Sequence, residues 1–227
     1  MYAMTCTRPD IAFAVHELTK HMQAPQEHHW AAAKRVLRYL KGTAERGLEF
    51  GRPTETSLSG SDVHVTAYAD ASFGTGGTDG KSTTGWYCMI AGDTISWASK
   101  KQSNVALSSC EAELYAETSC VQEVLWTRHI LEELELQVRP QSIIYGDNDG
   151  TIKLSENGVI SERTRHVAVR YHFVKQLIKD DVVKLVWVPT AQQRADILTK
   201  ALGKSKFAEF CDALLGDCYS GTLTRGR

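Results

Sequence analysis

Residues 63–70 read VHVTAYAD, and this stretch decides how the rest of the chain is interpreted. Val63, Val65 and Ala67 alternate with His64, Thr66 and Tyr68. A period of two predicts a β-strand, here one that ends at Asp70. In an open α/β sheet, ligands bind at the carboxyl ends of the strands, so Asp70 is the first candidate functional residue.

Working outward from this strand, the sequence predicts an alternation of strands and helices. A glycine-rich turn at 74–80 and the pair Gly92-Asp93 separate the first three strands, which can form an antiparallel meander. A later strand–helix–strand passage predicts parallel pairing. The fold class is therefore α/β, a mixed five-stranded sheet with flanking helices. Further strands are expected at about 84–90, 94–99, 142–145 and 182–188, and helices at about 108–134, 151–155, 169–178, 191–202 and 207–215.

A small helical segment precedes the sheet. Pro9-Asp10 suits a helix start, and a second helix is expected from Gln26 to Leu40. Arg52 to Asp62 is rich in Gly, Ser, Thr and Pro and lacks periodicity, which is typical of a linker. The predicted organisation is a helical segment at 1–50, a linker at 51–62, a sheet domain at 63–202, and a C-terminal helix and tail at 203–227.

Composition excludes several classes of protein. The 227 residues carry 26 Lys+Arg and 27 Asp+Glu, so no overall basic field is present and any nucleic-acid surface must arise from local charge. No apolar run approaches the roughly 18 residues of a membrane span, and no secretory signal is visible. The six cysteines form no CxxC pair, which favours reduced thiols in an intracellular protein.

Four carboxylates lie where the backbone would hold them rigidly. Asp70 ends the first strand, Glu113 lies in the first turns of the long helix, Asp147 follows the fourth strand, and Asp196 lies early in the helix after the last strand. A single Asp at such a place is commonly a helix cap. Four together would repel each other unless divalent cations neutralise them, and Mg²⁺ prefers oxygen ligands. Two ions roughly 3.5–4 Å apart suit phosphodiester chemistry.

At these residues the chain resembles the C-terminal part of a copia-type retrotransposon Pol polyprotein, from about Thr7 to Leu215. The segments that carry the resemblance occur in the same order as in that family. They are TRPDI (7–11), RVLRYLKGT (35–43), YADA (68–71), KSTTG (81–85), SWASKKQ (96–102), ALSSCEAELYA (106–116), GDN (146–148), RTRHVAVRYHF (163–173) and VPTAQQRADILTK (188–200).

The resemblance implies an RNase H-like domain at about 63–202, preceded by a remnant of the reverse transcriptase tail. It implies hydrolysis of the RNA strand of an RNA–DNA hybrid, with two Mg²⁺ ions (or Mn²⁺) held by Asp70, Glu113, Asp147 and Asp196. Glu111 is an alternative to Glu113. Residues two apart point about 200° apart on a helix, so both cannot face one metal, and the family's Glu-Leu pattern favours Glu113.

Basic residues supply the expected hybrid-binding surface, through phosphate contacts that are independent of base sequence. A simply solvated charged surface is the alternative. The candidates are Arg163, Arg165, His166, Arg170, His172, Lys100 and Lys101. The tryptophans at 86, 97, 126 and 187 are expected in the core. The expected partners are the RNA–DNA hybrid and the remaining Pol polyprotein domains. No membrane association is expected, and the expected location is a cytoplasmic particle or the nucleus.

Two departures from the family pattern leave a second function open. Ala168 stands where the family usually has Asp, and no YxDD polymerase signature is present. The alternative is a catalytically inactive nucleic-acid-binding remnant of the polyprotein. An integrase is disfavoured, because that class uses a D–D–E order with a late Glu, whereas the late acid here is Asp196.

Overall fold

A computed structural model describes residues 1–51, 62–75, 79–157 and 168–216, without the side chains of Leu154, Glu156 and Asn157. Its centre is a five-stranded sheet with the order β3-β2-β1-β4-β5. The first three strands are antiparallel, while β1, β4 and β5 are parallel. The predicted mixed α/β sheet is confirmed. The strands are β1 Val65–Ser72, β2 Thr83–Ile90, β3 Asp93–Lys101, β4 Ser142–Gly146 and β5 Val183–Trp187.

Helices cover both faces of this sheet. The longest helix, α4, has buried residues along most of its length. It lies where the sequence predicted a helix, at about 108–134. No described helix combines the length and apolar character that a bilayer span requires. The helices are α1 Tyr2–Cys6, α2 Ala12–Thr19, α3 Glu27–Gly42, α4 Ser109–Glu133, α5 Asp149–Asn157, α6 Ala168–Lys179 and α7 Lys204–Leu215, with 3₁₀ turns at Pro9–Ile11, Thr190–Gln192 and Arg194–Leu198.

The alternation in β1 places its side chains on two different cores. Val65, Ala67 and Ala69 are almost fully buried and pack with Val121 and Val124 of α4. Tyr68 points to the opposite face, where its ring stacks on Tyr87 and Tyr145. The two faces of β1 therefore differ, since Val65, Ala67 and Ala69 are buried on one face while Thr66 and Tyr68 are only partly buried on the other.

The second face is covered by α7 and the N-terminal helices together. Its core contains Tyr87, Met89, Phe210 and Leu214, and Ala12 of α2 is fully buried among them. The Trp97 indole also donates a 2.6 Å hydrogen bond to the Met4 carbonyl. The helical segment at 1–50 therefore shares a core with the sheet that follows it.

A buried ion pair fixes the start of this helical segment. The Arg8 guanidinium donates to both carboxylate oxygens of Asp10, at 2.9 and 2.7 Å, and to the carbonyl and hydroxyl of Thr43. The Tyr39 hydroxyl donates to Asp10 at 2.7 Å. These contacts join the TRPDI and RVLRYLKGT segments, since a buried charge needs such partners.

The predicted helix at 191–202 is wrong. Residues 190–198 form two 3₁₀ turns separated at Gln193, so Asp196 lies in a 3₁₀ turn. The fully buried Gln193 side chain accounts for the break, because its amide donates to the Ala69 carbonyl at 2.9 Å and its oxygen accepts from the Ala195 N–H at 3.2 Å. A helix running through Gln193 would leave the Ala195 N–H bonded to the backbone instead.

Two of the four tryptophans expected in the core are exposed. Trp126 is 58% exposed on α4, and Trp187 is 50% exposed at the end of the edge strand β5, with its indole N–H donating to the Asp147 carbonyl. Trp86 is buried, as predicted. The predicted linker falls mainly on residues 52–61, which lie outside the described part of the chain.

Candidate active site

Three of the four predicted acidic residues come together at one edge of the sheet. Strands β1 and β4 are parallel neighbours in which Tyr68 pairs with Tyr145, so Asp70 and Asp147, two residues further along each, reach the same level. Glu113 comes from the first turns of α4. One carboxylate oxygen from each of Asp70, Glu113 and Asp147 lies within 4.8 Å of the others, and we call these three residues the acidic cluster.

The local structure of α4 separates the roles of Glu111 and Glu113. Ser108 caps the helix by accepting from the Glu111 N–H, and Glu111 in turn accepts from the Leu107 N–H at 2.8 Å and from the Tyr115 hydroxyl at 2.7 Å. Glu111 therefore serves the helix terminus. Glu113 points to the cluster, where its Oε2 accepts from the Ala71 N–H at 3.0 Å.

Asp196 lies beside the acidic cluster and is joined to it through a lysine. Lys200 Nζ lies 2.8 Å from Asp196 Oδ1 and 3.3 Å from Asp70 Oδ1. Lys206 Nζ lies 3.3 Å from the other Asp196 oxygen, and the Thr199 hydroxyl donates a hydrogen bond to Asp70 Oδ2. The sequence did not single out Thr199 and Lys200, although they end the VPTAQQRADILTK segment three and four residues after Asp196.

Burial and repulsion from neighbouring carboxylates disfavour the ionised forms of Asp70 and Glu113. Desolvation, with further repulsion from Asp196 and Asp147, raises the pKa of Asp70 to about 6, against the opposing effects of Lys200 and Thr199. Burial, followed by the charges of Asp70 and Asp147, raises the pKa of Glu113 well above its usual value. A cation at this place would therefore be strongly attracted.

Glu117, one turn after Glu113, is a further buried acid that the sequence did not single out. Burial alone raises the pKa of Glu117 to about 8. Among the residues that the structure describes, its Oε2 has no hydrogen-bond partner. Its other oxygen closely approaches β4, since a Cβ on Gly146 would lie 3.3 Å from Oε1.

The predicted basic residues divide into three groups. Lys100, Lys101 and Arg170 line one polar groove of about 640 Å³ between β3, α4 and α6, which we call the cationic groove. The Arg170 guanidinium lies over the Tyr115 ring, 4.5 Å from its centroid, and Lys101 bonds to Asp79 at 2.6 Å. His172 is exposed on α6 and packs against Tyr171. The candidates at 163, 165 and 166 lie outside the described residues.

The acidic cluster is chemically suited to a divalent ion. All its ligand atoms are carboxylate oxygens, the type that hard ions such as Mg²⁺ prefer. Asp70 is fully buried and Glu113 is 7% exposed, so water solvates the ionised form of either carboxylate poorly. Such crowding of buried anions costs free energy unless a cation offsets it.

Comparison with known proteins shows retrotransposon homologues. The chain is 40% identical over 216 residues to the retrovirus-related Pol polyprotein from transposon TNT 1-94 of Nicotiana tabacum, covering 95% of this chain and 16% of that protein. It is 38% identical over 204 residues to the corresponding polyprotein from transposon RE2 of Arabidopsis thaliana, covering 90% and 14%. The chain thus spans less than a fifth of these relatives.

Among solved structures, a similar one is LC11-RNase H1, isolated from compost by a metagenomic approach. The TM-score is 0.46 at 15% identity, covering 60% of this chain and 92% of that one. The same protein has also been solved in complex with an RNA/DNA hybrid. No protein-family model matches the chain.

Proposed function

We propose that this chain is part of a retrotransposon Pol polyprotein and that it cuts the RNA strand of an RNA–DNA hybrid, which its similarity to two such polyproteins supports. In this proposal it is the C-terminal part of a copia-type Pol polyprotein, and residues 63–202 form its RNase H domain. The segment at 1–50 is then the tail of the reverse transcriptase. The ordered motifs from TRPDI to VPTAQQRADILTK support this placement.

The observation that carries the proposal is the convergence of Asp70, Glu113 and Asp147 within 4.8 Å at one sheet edge. These residues, with Asp196 beside them, would hold two Mg²⁺ ions. Divalent ions in such a site supply an activated water and neutralise charge on the phosphate. The family pattern places the same four acids in the catalytic set.

Neighbouring groups hold the carboxylates in place. Thr199 donates to Asp70 Oδ2, and the Ala71 N–H donates to Glu113 Oε2, so one oxygen of each carboxylate is fixed. Hydrogen bonds of this kind orient ligands and affect affinity by about 10–100-fold. Substrate phosphates would lie along the cationic groove, where Lys100 and Arg170 supply sequence-independent contacts.

The test is cleavage of a labelled RNA–DNA hybrid by the purified chain with Mg²⁺ and, in parallel, Mn²⁺. We expect the RNA strand to be cut, the DNA strand to stay intact, and Asp70→Asn to abolish cleavage while circular dichroism shows a folded protein. Lys184→Gln, at an exposed lysine on the edge strand β5, serves as a surface control. A folded wild-type protein that leaves hybrids intact with either metal would contradict the proposal.

A catalytically inactive nucleic-acid-binding remnant is the second candidate. Ala168, the first residue of α6, favours it, because the family usually has Asp there. Such a remnant would bind a hybrid through the cationic groove without cutting it. Restoration of cleavage by Ala168→Asp in an otherwise inactive protein would identify Ala168 as the cause of the lost activity.

A further inference from the structure

We propose that Lys200 is a resident cation of the site, whose ammonium group lies between Asp70 and Asp196 and must yield its place before a divalent ion can bridge these two residues. Lys200 would thereby set the affinity of this part of the site for metal. The inference rests on the proposed function, because it concerns the metal site of the proposed nuclease.

The contacts of Lys200 carry the inference. Its Nζ lies 2.8 Å from Asp196 Oδ1 and 3.3 Å from Asp70 Oδ1, so a single ammonium group contacts both carboxylates. Among the described residues, it is the only side chain that bonds to both carboxylates. Of these two carboxylates, Lys206 contacts only that of Asp196, at 3.3 Å, and it also donates to the Thr190 carbonyl. The position that a bridging ion would need is therefore taken by a protein cation.

Burial explains why this position needs a cation both without and with a bound metal ion. Asp70 is fully buried and Asp196 is 3% exposed. Two buried carboxylates without a partner would destabilise the fold, since removing the cation leaves uncompensated buried charge. Lys200 stabilises the metal-free protein, and an incoming divalent ion would replace one cation with another.

The side chain of Lys200 is suited to this exchange. It is 36% exposed and carries its charge on a flexible four-carbon chain, so the ammonium can swing towards solvent without leaving a cavity. Its backbone is held more firmly. The Lys200 N–H donates to the Asp196 carbonyl at 2.9 Å, and the preceding Thr199 hydroxyl is bonded to Asp70.

The experiment compares Mn²⁺ binding by isothermal calorimetry for the wild-type chain and Lys200→Gln. Removal of the competing cation should tighten binding of Mn²⁺ by about tenfold or more, and should lower the melting temperature in EDTA. Lys206→Gln, which removes a cation from Asp196 but not from Asp70, should give a smaller change. Lys184→Gln, at an exposed position of β5, should change neither quantity. Lys200→Arg keeps the charge and should bind Mn²⁺ no more tightly than the wild type.

The two proposals fail in different ways. If the wild type binds Mn²⁺ and cuts hybrids but Lys200→Gln binds Mn²⁺ equally or more weakly, the role of Lys200 is overturned and the nuclease proposal stands. If neither protein binds Mn²⁺, the metal site itself is wrong and both proposals fall. Should Lys200→Gln not fold, Lys200→Arg decides, because tighter Mn²⁺ binding by that variant would contradict competition by charge.

Discussion

Gly85 on β2 lies directly against Thr199, so that a Cβ on Gly85 would come within 2.5 Å of Thr199 Cγ2 and 2.8 Å of Leu198 Cβ. Gly85 is also the register partner of Asp70 on the neighbouring strand. The missing side chain lets the 3₁₀ turn at Arg194–Leu198 approach the sheet, which brings Thr199 to Asp70. The glycine of the KSTTG segment is therefore needed for the site's geometry.

Replacement of Gly85 by alanine should destabilise the protein by about 1–3 kcal/mol, because overpacking shifts the backbone of the turn. The free energy of unfolding in urea measures this loss. Gly42 ends α3, and a Cβ added there would meet nothing within 4 Å, so Gly42→Ala should be neutral or stabilising by less than about 1 kcal/mol. Equal effects of the two substitutions would contradict the role of Gly85.

Glu113 and Glu111 should respond differently to the same substitution. Glu113→Gln removes a charge from the acidic cluster, and we expect hybrid cleavage to fall by about 100-fold or more. Glu111→Gln keeps a side chain that can cap the helix, since Gln replaces Glu in capping boxes, and should retain most of the activity. Single-turnover cleavage rates measure both, and the opposite ranking would reassign the catalytic glutamate.

Glu117 should make the stability of the metal-free protein fall as pH rises. Its pKa is raised from about 4.5 in the unfolded chain to about 8 by burial. Below pH 4.5 the carboxyl is neutral in both states. Between these two values the unfolded state loses its proton first, so stability declines by up to roughly 1.4 kcal/mol per pH unit, and above pH 8 the loss is complete.

The matched variant for this effect is Glu117→Gln, which cannot ionise. The free energy of unfolding of this variant, minus that of the wild type, should rise by on the order of 4 kcal/mol from pH 5 to pH 9. Urea unfolding in EDTA at the two pH values gives the difference, in which the titration of other groups largely cancels. A difference that is the same at both pH values would show that Glu117 is not titrating in this range.

The cationic groove should contribute to hybrid affinity in a salt-dependent manner. Arg170→Gln and Lys100→Gln should each weaken binding of a hybrid in Ca²⁺ and reduce the slope of log K against log salt by up to about one unit. Fluorescence anisotropy over a range of NaCl concentrations measures this slope. An unchanged slope would show that the substrate follows another surface, and Lys184→Gln on the opposite edge strand provides the background value.

The sheet and α4 could be predicted because their sequences are locally consistent. The period of two in 63–70 matches a central strand, and Ser108 with Glu111 marks the start of α4 before the apolar residues begin. Asp70 and Asp147 then follow from topology alone, since the carboxyl ends of neighbouring parallel strands meet. The parallel pairing itself was expected from the intervening helix.

The parts that escaped prediction depend on contacts between distant residues. The segment 191–202 has a helical composition, but the buried Gln193 amide binds the Ala69 carbonyl of β1 and divides the segment into 3₁₀ turns. The role of Lys200 was equally invisible, because a lysine four residues after Asp196 normally indicates only a surface ion pair. Its contact with Asp70 exists only once the turn packs on the sheet.

The acidic cluster draws its members from three elements that are far apart along the chain, so no unfolded segment can reproduce its arrangement of oxygens. An ion that binds there recognises the native state alone and shifts the folding equilibrium by mass action. A chelator and heat would then both shift the same equilibrium, that between the folded and the unfolded protein. The protein would be most resistant to unfolding, and to the proteases that attack opened chains, where such an ion is plentiful.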